Sequence, residues 1–466
     1  MSVIGALMVP HPPIIMKEIG KGEENKIRDT VKAYEKAADM VVECRPDTII
    51  ISSPHSIMYS DYFHISPGNG AVGDMGRFGA PEVRFEVEYD REFTERISRN
   101  AMKSDFPAGV LGERNAELDH GIMVPLYFIN KVYSSYKLVR VGLSGLSFAE
   151  HYRFGQLIER TLKELGRRAF FVGSGDLSHK LLESGPYGYV KEGPEYDDRI
   201  MEIMGKGSFD ELFDFEDDFC DKAAECGHRS FCIMAGTLDG KDVYIDKLSY
   251  EGTFGVGYGI CTYRVKESGD KINSERKFLE IWETKKMEEL RARRETEDPY
   301  VRLARKSIEA YLKEGKRLKL YDGLPEEIIN GKAGVFVSIH KEGKLRGCIG
   351  TISPVYDCIG TEIIENAISA STKDPRFNPV KSSELDMLEI NVDVLSEAEA
   401  VKSKKQLDVK KYGVIVTKGL HRGLLLPDLE GVDTVDEQIE IALKKAGLSE
   451  REQDYSLMRF EVVRHR

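Results

Sequence analysis

Over residues 1 to about 263, short apolar runs alternate with longer stretches of helical period, and no other feature limits the fold of this chain as tightly. Val3 to Met8, Asp47 to Ser52, Lys137 to Leu143 and Ala169 to Gly173 are brief and mostly apolar or β-branched, as strands buried on both faces are. Between them, Glu24 to Cys44 lines up Ile27, Val31, Tyr34, Ala38 and Val41 on one helical face. Ser147, with Glu150 three residues on, can cap a helix that runs to Leu165, and Arg229 to Leu238 also has helical spacing. Val243 to Leu248 and Gly255 to Tyr263 read as closing strands. Strands and helices in this alternation predict an α/β fold, a doubly wound, mostly parallel sheet covered by helices.

The first run stops at Pro10-His11-Pro12-Pro13, where prolines forbid both a longer strand and a regular helix start. The arrangement returns at Ser53-Pro54-His55 and, more loosely, between Gly173 and His179. His120, in Glu117-Leu-Asp-His-Gly121, opens another apolar run, whereas His64 and His151 lie in periodic segments and read as ordinary core or surface residues. In an open α/β sheet the carboxyl ends of the strands line a crevice, so His11 and His55 can meet there. Neutral imidazoles offered from neighbouring strand ends are metal ligands. They need an anionic partner to hold a divalent ion, and Ala223-Ala-Glu-Cys-Gly-His-Arg-Ser230 offers Glu225 and, beside it, Cys226.

Adjacent helical side chains diverge by about 100°, so one of the two is expected to face an ion. Glu225 is the expected one, because two imidazoles and a carboxylate form the facial triad of non-haem Fe(II) enzymes. Its alternative role is at a helix start, where the helix dipole favours a carboxylate. Asp176 and Asp119, close in sequence to His179 and His120, are candidates for fixing imidazole tautomers or for plain turn formation.

Composition sets the frame. A length of 466 residues allows two to three domains, and 41% hydrophobic with 31% charged residues fits a globular protein. A net charge of -12 argues against a general nucleic-acid binder. No window approaches the roughly 18 apolar residues of a membrane span, and the N-terminus lacks a basic region before its apolar run. Seven scattered cysteines without a C-x-x-C pair fit a reducing, cytoplasmic setting. From residue 266 to 299 the chain is dense in Lys, Arg and Glu, and reads as a charged helical linker. Residues 300–466 mix helices and strands less regularly and predict a smaller α+β domain, closed by a strand over Tyr455 to Val463.

The motifs VPHPP, SSPHS, ELDHG, GSGDLSH and AECGHRS, in this order, resemble the class III extradiol ring-cleaving dioxygenases of the protocatechuate dioxygenase catalytic beta subunit type. They look still more like the Memo-like branch, protein B of the AmmeMemoRadiSam system. The resemblance covers about residues 1–265. It implies Fe(II) held by His11, His55 and Glu225, an acid/base role for His179, contact of His120 with substrate or oxygen, and a small aromatic substrate with dioxygen. Memo-like proteins place a thiolate near the third ligand position, where Cys226 stands. The alternative reading is therefore a metal-binding or redox module, without ring cleavage, that works with a radical-SAM partner on protein or RNA. A non-catalytic scaffold is a third reading, and a homo-oligomer is compatible with each.

Leu345-Arg-Gly-Cys-Ile-Gly350, Lys373 to Phe377, Tyr412 to Val416 and Arg422 to Pro427 resemble the AMMECR-type domain, protein A of the same system. Within it, Cys348 with Arg346 nearby is either an accessible thiol in a basic setting or a small buried hydrophobe between glycines. Asp374 and Arg376 are spaced for a structural ion pair.

Overall fold

The computed structural model describes residues 2–112, 114, 117–266, 272–341, 343–429, 431–450 and 452–466. They form two compact units, Met1–Thr284 and Lys285–Arg466.

In the first unit the strands of the central sheet are β1 (Val3–Val9), β2 (Thr48–Ser53), β3 (Lys137–Gly142), β4 (Ala169–Ser174), β5 (Val243–Glu251) and β6 (Tyr258–Val265). Among the described residues they make one sheet in the order β3-β2-β4-β1-β6-β5. The first four run parallel, and β6 and β5 add antiparallel to the β1 edge. Successive residues enter opposite cores. Leu7, Val9, Ile49, Ile51, Phe170 and Val172 face one, whereas Ala6, Met8, Ile50, Val139 and Phe171 face the other. Helices α1 (Arg28–Cys44) and α2 (His120–Ile129) cover the first face through Tyr34, Val41, Ile122 and Leu126. Helices α3 (Phe148–Leu165), α4 (Glu192–Lys206) and α5 (His228–Thr237) cover the second through Tyr152, Ile158, Ile200 and Ile233. Ser147 caps α3 as expected, its hydroxyl accepting the Glu150 amide at 3.3 Å. The mostly parallel, doubly wound α/β fold is therefore present.

Register carries the chemistry. Val9 of β1 lies opposite Ser174 of β4, so His11 and Asp176 leave the sheet side by side. The His11 amide donates to Asp176 Oδ1 at 2.7 Å. A one-residue slip would send each strand side chain to the opposite face and separate this pair.

The expected linker is only partly a linker. Helix α6 (Phe278–Thr296) forms, but Phe278 and Leu279 are buried in the core of the first unit and Trp282 packs on Phe213, with ring centroids 5.2 Å apart. These three apolar residues occupy one helical turn and outweigh the charges around them, so this unit extends to Thr284 rather than ending near residue 265. Residues 267–271 of that stretch lie outside the described residues.

The second unit is α+β. Helix α7 (Pro299–Glu314) is capped by Asp298, which accepts the Tyr300 and Val301 amides. It is followed by β7 (Gly334–Lys341), β8 (Lys344–Gly350), α8 (Ile359–Thr372) and β9 (Leu388–Leu395). Then come β10 (Glu399–Ala400), β11 (Gly413–Lys418), β12 (His421–Leu425), α9 (Val435–Lys445), β13 (Ser456–Phe460) and β14 (Val462–His465). Two antiparallel sheets result, β8-β7-β9-β14 and β10-β13-β11-β12. The closing strand expected over Tyr455 to Val463 is broken at Glu461, whose amide donates to Ser396 Oγ at 2.9 Å, and its halves join different sheets. Among the described residues, no helix is long and apolar enough to cross a membrane.

Candidate metal centre

The strand exits place His11 after β1 and His55 after β2, with their Nε2 atoms 3.0 Å apart. Cys226 Sγ lies 3.6 Å from His11 Nε2. These three side chains offer one donor atom each, all within 4.8 Å of one another. Metal–ligand bonds of roughly 2.0–2.3 Å fit among these donors with small shifts of the side chains. Burial, and secondarily the neighbouring His55, lowers the His11 pKa to about 3. Lost hydration lowers His55 as well, although its edge reaches solvent. Both imidazoles thus stay neutral, as a ligand must be. Two neutral imidazole nitrogens facing each other this closely need a shared proton or a cation between them, so the donor set fits a metal.

Glu225 does not complete this set. Its carboxylate accepts the His228 amide at 2.6 Å and the Tyr196 hydroxyl at 3.5 Å, and burial raises its pKa to about 7. It takes the helix-terminus role, at the start of α5. Ala224, at φ 53, turns the chain before it, so the adjacent side chains diverge and Cys226 is the one that reaches the imidazoles. Cys226 is drawn in by Asp176, whose amide donates to Sγ at 3.2 Å and whose carbonyl accepts the Cys226 amide at 3.3 Å. The approach needs a glycine: a Cβ on Gly175 would stand 2.1 Å from Gly227 Cα. Gly175→Ala is accordingly expected to displace the Cys226 segment and weaken metal binding, which zinc titration of the variant would register.

The other singled-out histidines are close by. The His120 ring lies 4.0 Å from that of His55 and 5.3 Å from that of His11, with Phe78 against it at 5.4 Å. Burial, then His55, lowers its pKa to about 4. His179 Nε2 is 3.9 Å from Asp176 Oδ2, and its Nδ1 donates to the Ala224 carbonyl. A carbonyl only accepts, so Nε2 is the nitrogen of His179 that can take up a proton. Tyr187 stands edge-on to this ring at 5.3 Å. His64 and His151 are buried away from the set, and His228 is held between the Leu212 carbonyl at 2.9 Å and Tyr196 at 3.2 Å.

Asp176 and Asp119 act on backbone and loops rather than on imidazole tautomers. Asp176 fixes the His11 amide, and burial raises its pKa. Asp119 caps α2 through the Ile122 amide at 3.2 Å and accepts hydroxyls from Ser53 at 2.6 Å and Ser56 at 2.8 Å, on either side of His55. Arg140 of β3 pairs with it at 2.9 Å and also donates to Ser56 Oγ and the Glu117 carbonyl. Burial would raise the Asp119 carboxyl, but Arg140 and the two serine hydroxyls outweigh it and hold the pKa low. One buried ion pair therefore ties the His55 loop to the helix that begins at His120. Sequence reasoning missed Arg140, although an arginine inside the apolar run Lys137 to Leu143 was the available signal.

In the second unit, Cys348 Sγ accepts the Ser338 hydroxyl at 3.2 Å, and its amide donates to Asp374 at 2.8 Å. The guanidinium bonded to Cys348 is that of Arg376, at its carbonyl and 3.3 Å away; that of Arg346 is taken up by Glu384. Arg376 pairs with Asp374 at 2.7 Å and holds that carboxyl well below the usual range.

Comparison with known proteins agrees with this architecture. Residues 5–261 match the family described as the catalytic LigB subunit of aromatic ring-opening dioxygenase, and residues 301–465 match the AMMECR1 family. Protein CA_C1420 of Clostridium acetobutylicum is 44% identical over 474 residues, covering 100% of both chains. A Thermotoga maritima protein is 51% identical over 171 residues, 36% of this chain and 98% of its own. The crystal structure of uncharacterized protein PH0010 from Pyrococcus horikoshii is 35% identical over 35% of this chain and 88% of that one, with a TM-score of 0.34. Matched over residues 5–261 and 44% identical to a relative along the whole of both chains, the chain belongs to the LigB family of ring-opening dioxygenase catalytic subunits, and carries an AMMECR1 domain after it.

Proposed function

We propose that the first domain holds one divalent metal ion between His11, His55 and Cys226 and works as a metal-dependent redox module. The observation that carries this reading is Cys226 Sγ, 3.6 Å from His11 Nε2, while the Glu225 carboxylate is engaged by the His228 amide. Two imidazoles and a thiolate are a softer set than the two-histidine, one-carboxylate triad; such a set accepts copper or zinc as well as iron. When bound, a redox-active ion supplies electron transfer to a substrate or to dioxygen. His11 and His55 stay neutral to receive it, Asp176 holds the His11 backbone and the Cys226 sulfur together, and His179 Nε2 stands ready to accept a proton. A radical-SAM partner belongs to the same proposal and rests on the family resemblance alone.

Oxidative ring cleavage is the second reading, favoured by His179. Its Nδ1 is committed to a carbonyl and its Nε2 is left for a substrate proton. Metal analysis of anaerobically purified protein, followed by oxygen uptake with catechols, separates the two. About one ion per chain without catechol turnover supports the redox module, turnover supports ring cleavage, and protein that cannot be loaded with any divalent ion refutes both. If turnover is found, His179→Ala should retain the metal and lose activity by roughly 10²–10⁴-fold. Loss of metal in that variant would make His179 a ligand.

Metal uptake should also move protons. Burial pushes the Cys226 thiol well above its ordinary pKa, and the imidazoles begin neutral. Loading at neutral pH should therefore release about one proton per chain and tighten as pH rises. Calorimetry in buffers of different ionisation enthalpy measures this; release of none would indicate a set without the thiol.

A further inference from the structure

We infer that Ser174 is a positioning residue that decides which nitrogen of His11 is offered to a metal ion. The inference rests on the proposed centre, but its first test needs no metal. Ser174 is the last residue of β4 and fully buried. Its hydroxyl donates to the Gly121 carbonyl at 2.6 Å. A serine hydroxyl has one proton, and that bond uses it. Toward His11 Nδ1, 3.0 Å away, Ser174 Oγ can then only accept.

Nδ1 of His11 must therefore carry the hydrogen, and the lone pair is on Nε2. That is the atom 3.0 Å from His55 Nε2 and 3.6 Å from Cys226 Sγ. The proton shared between the two Nε2 atoms then belongs to His55. The alternative tautomer would turn an N–H toward the other donors and leave Nδ1 facing an oxygen with no proton to give.

The choice also joins parts of the site. Gly121 follows His120 in the first turn of α2, so the hydroxyl that orients His11 is anchored on the helix that carries His120. An outer partner of this kind typically matters by 10–100-fold in metal affinity.

Long-range proton–nitrogen correlation spectra of 15N-labelled, metal-free protein test the tautomer directly, with His11 assigned by comparison with His11→Gln. The expected result is a protonated Nδ1 and an unprotonated Nε2. Ser174→Ala should admit the other tautomer and weaken zinc(II) binding by roughly 10–100-fold, and Ser174→Thr, which keeps the hydroxyl, should restore both. A wild-type His11 protonated at Nε2 overturns the inference, as does a Ser174→Ala variant with unchanged tautomer and unchanged zinc affinity. If the variants fail to fold, the wild-type spectrum still decides. A correct tautomer in a protein that binds no zinc, cobalt, copper or iron supports the role of Ser174 and refutes the metal centre instead.

Discussion

Arg140→Met is expected to destabilise the first domain by about 3–5 kcal/mol, because breaking a buried pair leaves the partner charge uncompensated. The Arg140 and Asp119 side chains are 2% and 11% exposed, so water cannot replace the lost contact. The damage should reach the site as well, since the same carboxylate holds Ser53, Ser56 and the start of α2. Zinc affinity is therefore expected to fall together with stability. Adding Asp119→Asn removes the stranded charge and should recover part of the loss, which a double-mutant cycle would show. The pH dependence has a definite sign. The folded-state pKa of Asp119 is depressed, so its contribution is present above the ordinary carboxylate pKa of about 4 and fades as pH falls below it. The stability gap between wild type and Arg140→Met should narrow in that direction. A gap below about 1 kcal/mol at neutral pH, the range of exposed pairs, would contradict this account.

His11→Ala and His55→Ala should each weaken divalent-metal binding by more than about 100-fold, since loss of a ligand must exceed the loss of an outer-shell partner. The fold should survive His11→Ala because Asp176 bonds the His11 amide and not its ring. Melting curves of the metal-free proteins should therefore differ little, whereas metal-loaded wild type should gain stability that the variants do not. Full occupancy in either variant would exclude that residue from the set.

Much of this was legible in the sequence, for identifiable reasons. The sheet was legible because its central strands are buried on both faces and read as continuous apolar runs, as at Thr48–Ser53. The imidazole cluster was legible because a strand stopped by proline and followed by histidine recurs at His11 and His55, and parallel strands bring such exits together. The third donor was not. Glu225 and Cys226 are neighbours, and their division of labour depends on the left-handed backbone at Ala224 and on the glycine approach at Gly175, which residue types do not announce. Arg140 was passed over because the apolar run around it read as a strand without a question about its charge. In the charged stretch between the two domains, a count of charges hid Phe278, Leu279 and Trp282, which share one turn and pack on the core of the first unit. In the second unit the Asp374–Arg376 pair was anticipated, whereas the basic group at Cys348 proved to come from a distant loop, not from its strand neighbour.

Cobalt(II) spectroscopy tests the central claim most directly, because a thiolate ligand produces an intense near-ultraviolet charge-transfer band that oxygen and nitrogen ligands do not. Wild-type protein loaded with cobalt(II), and Glu225→Gln loaded alike, should both show the band, and Cys226→Ser should lack it. A band that persists in Cys226→Ser, or a cobalt-loaded wild type without one, would contradict the centre of His11, His55 and Cys226.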